Sequence, residues 1–150
     1  MTTTPLLWLL ALVAGALIPV QAAANTALSK SLGENVPFAA MTLFAIAGGI
    51  TALALALTST PIPRLAELAS APWWSYLGGV IVALYVFSIT FLAPRIGVGA
   101  AISFVVTGQI LAALTIDHFG LFRSLTFHLT PPRAIGAILM MVGVFLALRR

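Results

Sequence analysis

Three carboxamides and a phenol stand inside stretches of sequence that would otherwise dissolve in hydrocarbon: Gln21, Asn25, Gln109 and Tyr85. Each can donate and accept hydrogen bonds, and a polar group left unpaired in the bilayer core costs several kcal/mol. Each therefore needs a partner on another helix, in water or on a ligand. The chemistry these residues offer is recognition by neutral hydrogen bonds. Gln21 and Asn25 share one helical face, which continues through Ala14, Ile18 and Leu28, and Pro19 just before them frees the carbonyl four residues earlier and can kink the helix. Tyr85 has Ser88 one turn on. Gln109 lies roughly 16 Å along its helix from Val98, close to the bilayer midplane, and Gln21 reaches a similar depth. On the helix of Gln109 the small residues Gly99, Ala100, Ser103 and Thr107 form a separate stripe, so one face packs and another carries the amide. Two readings stay open for these side chains: structural hydrogen bonds between helices, or a substrate pathway.

Charged positions are few, and they lie at segment ends. Arg95, in "PRIG", can neutralise carbonyls at a helix end, anchor at headgroups or attract an anion. Asp117 and His118, in "DHFG", can be a hydrogen-bonded or solvated pair at a helix exit, or can relay protons or bind a metal, although adjacent residues on a helix point in different directions. No Asp, Glu or Lys lies at mid-depth, since Glu34 and Glu67 fall in loops. An exporter that exchanges protons for lipophilic cations needs a buried carboxylate for which the two compete, so that mechanism is disfavoured. Neutral and anionic metabolites stay open. Ser103 has no histidine or acid near it in sequence and His128 has no metal-ligand spacing, so no catalytic triad or metal-hydrolase pattern exists and an enzyme is not expected. The chain contains no cysteine, which removes disulfides and thiolate metal sites. No cofactor or metal is expected.

The elements that must position these residues follow from composition. Of 150 residues 61% are hydrophobic and 7% charged, which marks an all-α membrane protein. A span needs about 20 apolar residues, and five stretches qualify, at about 5–28, 36–58, 73–93, 98–116 and 133–148, forming a single transmembrane domain. The connections are "SKSLGEN", "STPIPRLAELASAP", the bare "PRIG" and "DHFGLFRSLTFHLTP". Prolines 37, 72, 94 and 131 mark helix entries and exits. The Ala-rich "QAAANTA" invites a signal-peptide reading, but "MTTTP" carries no basic residue and the apolar run is long enough to span, so the first segment is read as a helix. Trp73, Trp74 and Tyr76 suit an interfacial aromatic belt.

Five spans put the termini on opposite sides. Arg64, Arg123 and Arg133 fall on the N-terminal side, against Lys30, Arg95, Arg149 and Arg150 on the other. Basic residues in short loops set orientation, so this near-balance fits either insertion in both directions, which would allow an antiparallel homodimer, or a single orientation fixed by the C-terminal arginine pair and a partner. The net charge of +4 is scattered, which gives nucleic-acid binding little support. Small residues four apart at Ala11/Gly15, Ala45/Gly49 and Gly97/Ala101 predict close helix contacts.

The segments "GALIPVQAAANTAL" (15–28), "PWWSYLGGVIVALYVF" (72–87), "APRIGVGAAISFVVTGQILAALTIDHFG" (93–120) and "RAIGAILMMVGVFL" (133–146) resemble the YdcZ-like five-span family of the drug/metabolite transporter superfamily. The combination of "PRIG", "GQ" and "DHFG" at these spacings is the most specific part. The resemblance implies half of a ten-helix, inverted-repeat architecture, encoded by single genes, paired genes or fusions, and a bacterial inner-membrane location. It transfers no functional residue. The expected function is a secondary transporter subunit that carries a small polar or amphipathic metabolite by alternating access, as a homodimer or as a heterodimer with a paralogous subunit. The rival is a non-transporting membrane component whose polar residues serve only helix assembly.

Overall fold

In a computed structural model of the chain, residues 4–149 are described, and they contain helices and connections with no strand. Six α-helices follow in order: α1 (Thr4–Ser31), α2 (Val36–Leu57), α3 (Leu65–Ser70), α4 (Leu77–Ile96), α5 (Val98–Phe119) and α6 (Pro131–Leu148). Four segments are long and apolar enough to cross a membrane, Pro5–Ser31, Val36–Leu57, Trp73–Ile96 and Val98–Phe119, and a shorter apolar helix covers Pro131–Leu146. The chain divides into two compact units, one ending at Arg95 and one starting at Ile96.

In the first unit, α1 continues through Pro19. It ends where Gly33 and Glu34 both take positive φ, at 69° and 64°. Asn35 then starts α2, its Oδ1 accepting from the Phe38 N–H at 3.0 Å, with Pro37 in the first turn where no N–H is needed. Thr58 closes α2 by donating to the Ala54 carbonyl at 2.8 Å, just ahead of Pro61 and Pro63. The following segment, expected as loop throughout, instead contains α3, whose Glu67 reaches back to accept from the Arg64 N–H at 3.0 Å. A 3₁₀ turn at Trp73–Tyr76 leads into α4, and the Tyr76 hydroxyl ties it to the Leu68 carbonyl at 2.5 Å. Buried positions gather at one end: Ala22, Asn25, Thr26 and Ser29 on α1, Ala39 and Ala40 on α2, and Val86, Ile89, Thr90 and Ala93 on α4. The α1 face is thus turned slightly from the predicted one, because Ala14 and Ile18 are exposed.

"PRIG" is not a loop. Pro94, Arg95 and Ile96 form the last turn of α4, and α5 begins at Val98. Only Gly97 interrupts the helices, at φ 88° and ψ 146°, a region essentially closed to residues with a Cβ.

In the second unit, α5 runs to Phe119, past the predicted end at Ile116, and stops at Gly120 in the left-handed conformation (φ 59°, ψ 35°), the usual helix terminator. Among the described residues, the predicted close contacts at small residues are largely not made within either unit. A Cβ built on Gly15, Gly48, Gly49, Gly78, Gly79, Gly99, Gly108, Gly136 or Gly143 would meet nothing within 4 Å, whereas Ala101 is buried.

Candidate functional site

The buried end of the first unit is polar. Asn25 Nδ2 donates to Thr90 Oγ1 at 2.6 Å, joining α1 to α4, and the two residues are 4% and 1% exposed. Ser29 lies one turn further along this face of α1 and Thr26 beside Asn25 at its edge, at 4% and 8% exposure. Helical geometry explains the grouping, since positions 22, 25, 26 and 29 fall within about 100° of arc. Among the described residues, three side-chain atoms here are buried without a hydrogen-bond partner: Gln21 Nε2, Thr26 Oγ1 and Tyr85 Oη. In most folded proteins such groups are paired, so these orphans mark positions where water or a ligand is wanted.

Above this layer opens a cavity of about 270 Å³ lined by Thr26, Ser29, Lys30, Glu34, Val36, Thr90, Phe91, Pro94 and Arg95. Arg95 is held by its own helix. Its Nη1 donates to the Phe91 carbonyl at 2.6 Å, and its guanidinium carbon sits 3.6 Å from the centroid of the Phe91 ring. Of the three roles open to it from sequence, capping of a helix-end carbonyl is thus realised, while four of its N–H donors stay uncommitted to that bond.

The second unit holds Gln109, Asp117 and His118. Gln109 is exposed on α5 and makes no hydrogen bond to any described residue. Asp117 and His118 do point apart, and each fastens the same returning segment. Asp117 Oδ2 pairs with Arg133 Nη2 at 2.7 Å, and the Asp117 carbonyl accepts from the Phe127 N–H at 2.9 Å. His118 Nδ1 accepts from the Leu129 N–H at 3.0 Å, with the His128 ring edge-on at 5.8 Å. Arg133 Nη1 donates to the Phe127 carbonyl at 2.9 Å. "DHFG" is therefore a clasp that secures the entry to α6 as well as a helix exit.

With this geometry in view, the family described as "Putative inner membrane exporter, YdcZ" matches the chain over residues 6–146. The chain belongs to the YdcZ family. The inner membrane protein YdcZ of Escherichia coli (strain K12) is 32% identical over 88 residues, which span 55% of each chain. The chain thus matches only about half the length of that relative. No solved structure gives a significant match. Like the YdcZ protein, this family member is an integral inner-membrane protein.

Sequence reasoning passed over Thr26, Ser29, Lys30 and Thr90 of this YdcZ-family chain. Hydroxyl residues are unremarkable in spans because they can bond to their own helix, as Thr42, Thr51 and Thr107 do here. The available signal was the run Asn25-Thr26-x-x-Ser29, which puts three polar side chains on the face that Asn25 already marked.

Proposed function

We propose that the chain is a subunit of a secondary transporter that moves a small polar or amphipathic metabolite across the inner membrane by alternating access. The carrying observation is the set of buried, unpartnered polar atoms on Gln21, Thr26 and Tyr85 beside the Asn25–Thr90 pair. Helices otherwise fit for lipid keep such groups where a passing solute can satisfy them. The family description, an exporter, supports transport over catalysis.

The 18 residues of α6 reach about 27 Å at 1.5 Å each, enough for a fifth span through a thin or locally thinned bilayer. Five spans in one transmembrane domain make half of a ten-helix, inverted-repeat transporter, so two copies enclose the path and rock against each other. Gln109 supports this reading: an exposed amide on an apolar span needs a partner, and a second copy brings one. The balanced basic residues are compatible with an antiparallel homodimer and with a dimer formed with a paralogue.

Flux measured in proteoliposomes against a panel of small metabolites tests the proposal. Gln109→Leu and Thr26→Val are expected to fold and pair but to lose flux by tenfold or more, as when a hydrogen bond worth about 1.4 kcal/mol is removed. Normal flux in both variants would remove these residues from the pathway. The Asn25–Thr90 bond also suits the rival reading, in which polar residues act only as helix glue. Loss of assembly with no separable loss of flux would favour that rival.

A further inference from the structure

The cavity at the end of the first unit is lined by two cations, Lys30 and Arg95, and one carboxylate, Glu34. Among the described residues neither Lys30 nor Glu34 has a side-chain partner, so no ion pair neutralises the excess positive charge. Arg95 is fixed in place by the Phe91 carbonyl and ring, and a guanidinium held over an aromatic ring is oriented before any ligand arrives. The buried wall adds hydroxyl donors. The Ser29 side chain, on a residue 4% exposed, has no hydrogen-bond partner among the described residues, and Thr90 Oγ1 accepts from Asn25, which leaves its own proton free to donate. Thr26 Oγ1 beside them has no hydrogen-bond partner among the described residues. Fixed cation, mobile cation and buried hydroxyls are the donor set that carboxylates and phosphates need. A volume of about 270 Å³ falls just below the usual range of roughly 300–1,000 Å³ for drug-sized ligands, and so suits a group of a few heavy atoms.

We propose that this cavity binds an anionic group, a carboxylate or phosphate, between Lys30 and Arg95, with Glu34 weakening the attraction so that the group can leave. The inference deepens the transport reading and rests on it only in naming that group as part of the substrate. A lipid headgroup would offer the same chemistry as a soluble metabolite.

The full-length protein in phosphatidylcholine nanodiscs, titrated calorimetrically with inorganic phosphate and with succinate, tests the site. Binding is expected to weaken about tenfold or more in Lys30→Gln and in Arg95→Gln, as for loss of a charged hydrogen bond. Arg95→Lys, which keeps the charge, should retain part of the affinity even if Arg95→Gln folds poorly. Glu34→Gln should strengthen binding several-fold, an outcome that a structural role for Glu34 would not produce. Arg123→Gln, outside the cavity, should change nothing. Phosphate binding that survives the addition of phosphatidylglycerol to the nanodisc identifies a soluble ligand. Displacement of phosphate, with phosphatidylglycerol retained on the wild type but not on Lys30→Gln in native mass spectrometry, identifies the headgroup. Failure to hold either anion, equal binding by all variants, or binding of tetramethylammonium that Glu34→Gln abolishes would overturn the site. The readout needs no flux: a protein that binds phosphate and carries nothing across keeps the anion site and loses the transport role. Flux of a cation without anion binding does the reverse.

Discussion

Asn25 and Thr26 are neighbours in sequence with opposite predicted behaviour. Asn25 has its partner, so Thr90→Val should strand a buried amide donor and destabilise the fold by about 1 kcal/mol, the scale of such bonds between membrane helices. The double variant Asn25→Leu with Thr90→Val should recover much of that loss, as a double-mutant cycle of unfolding in mixed micelles would show. The Thr26 hydroxyl has no partner among the described residues. Thr26→Val keeps the shape and removes an unsatisfied hydroxyl, so the same unfolding measurement should find stability unchanged or raised by up to about 1 kcal/mol. A marked loss of stability would mean that the hydroxyl is paired after all, and that its place in a pathway was misread.

Helix ends carry the next level of specification. Gly120 ends α5 at φ 59°, and a Cβ there would sit 2.5 Å from Thr126 Oγ1. Gly120→Ala should therefore lower stability by at least about 1 kcal/mol through left-handed strain alone, with a further steric share that Thr126→Ala relieves. If the single and double variants melt alike, the clasp geometry around Asp117 and His118 is wrong. The Asp117–Arg133 pair is about one-third exposed on each side, so Asp117→Asn should cost well under about 1 kcal/mol and less still in high salt. The backbone bonds from Phe127 and Leu129, not that ion pair, secure the entry to α6.

At the scale of the whole molecule, the spans expose apolar side chains along most of their length, including Leu9, Ile46, Leu84 and Phe104. Lipid or a second copy must cover those surfaces, and the open glycine positions leave room for close approach. Because the chain has no cysteine, a single introduced thiol reports orientation directly. Glu34→Cys and Thr60→Cys, in separate loops, should each be labelled by a membrane-impermeant maleimide in part of the population, as dual insertion requires. Complete labelling of one site and none of the other would establish a single orientation and remove the antiparallel homodimer.

Much of this was set by the chain itself. Hydrophobic runs near 20 residues and prolines at helix entries are local signals, so the long apolar helices, their order and the membrane setting were legible in advance, whereas the short α3 was not. Asn25 and Gln21 stood out for the same reason, as amides in a solvent that cannot pair them. The tertiary structure decided which polar groups meet: Asn25 found Thr90 across a long separation in sequence, while Gln109, the equally conspicuous amide, found no partner among the described residues. It also turned "PRIG" from a loop into a helix end, brought Arg95 to the same cavity as Lys30, and made "DHFG" a clasp. A residue's type fixes what it can bond, but packing between distant helices fixes what lies within reach, and one sequence does not encode that separation locally.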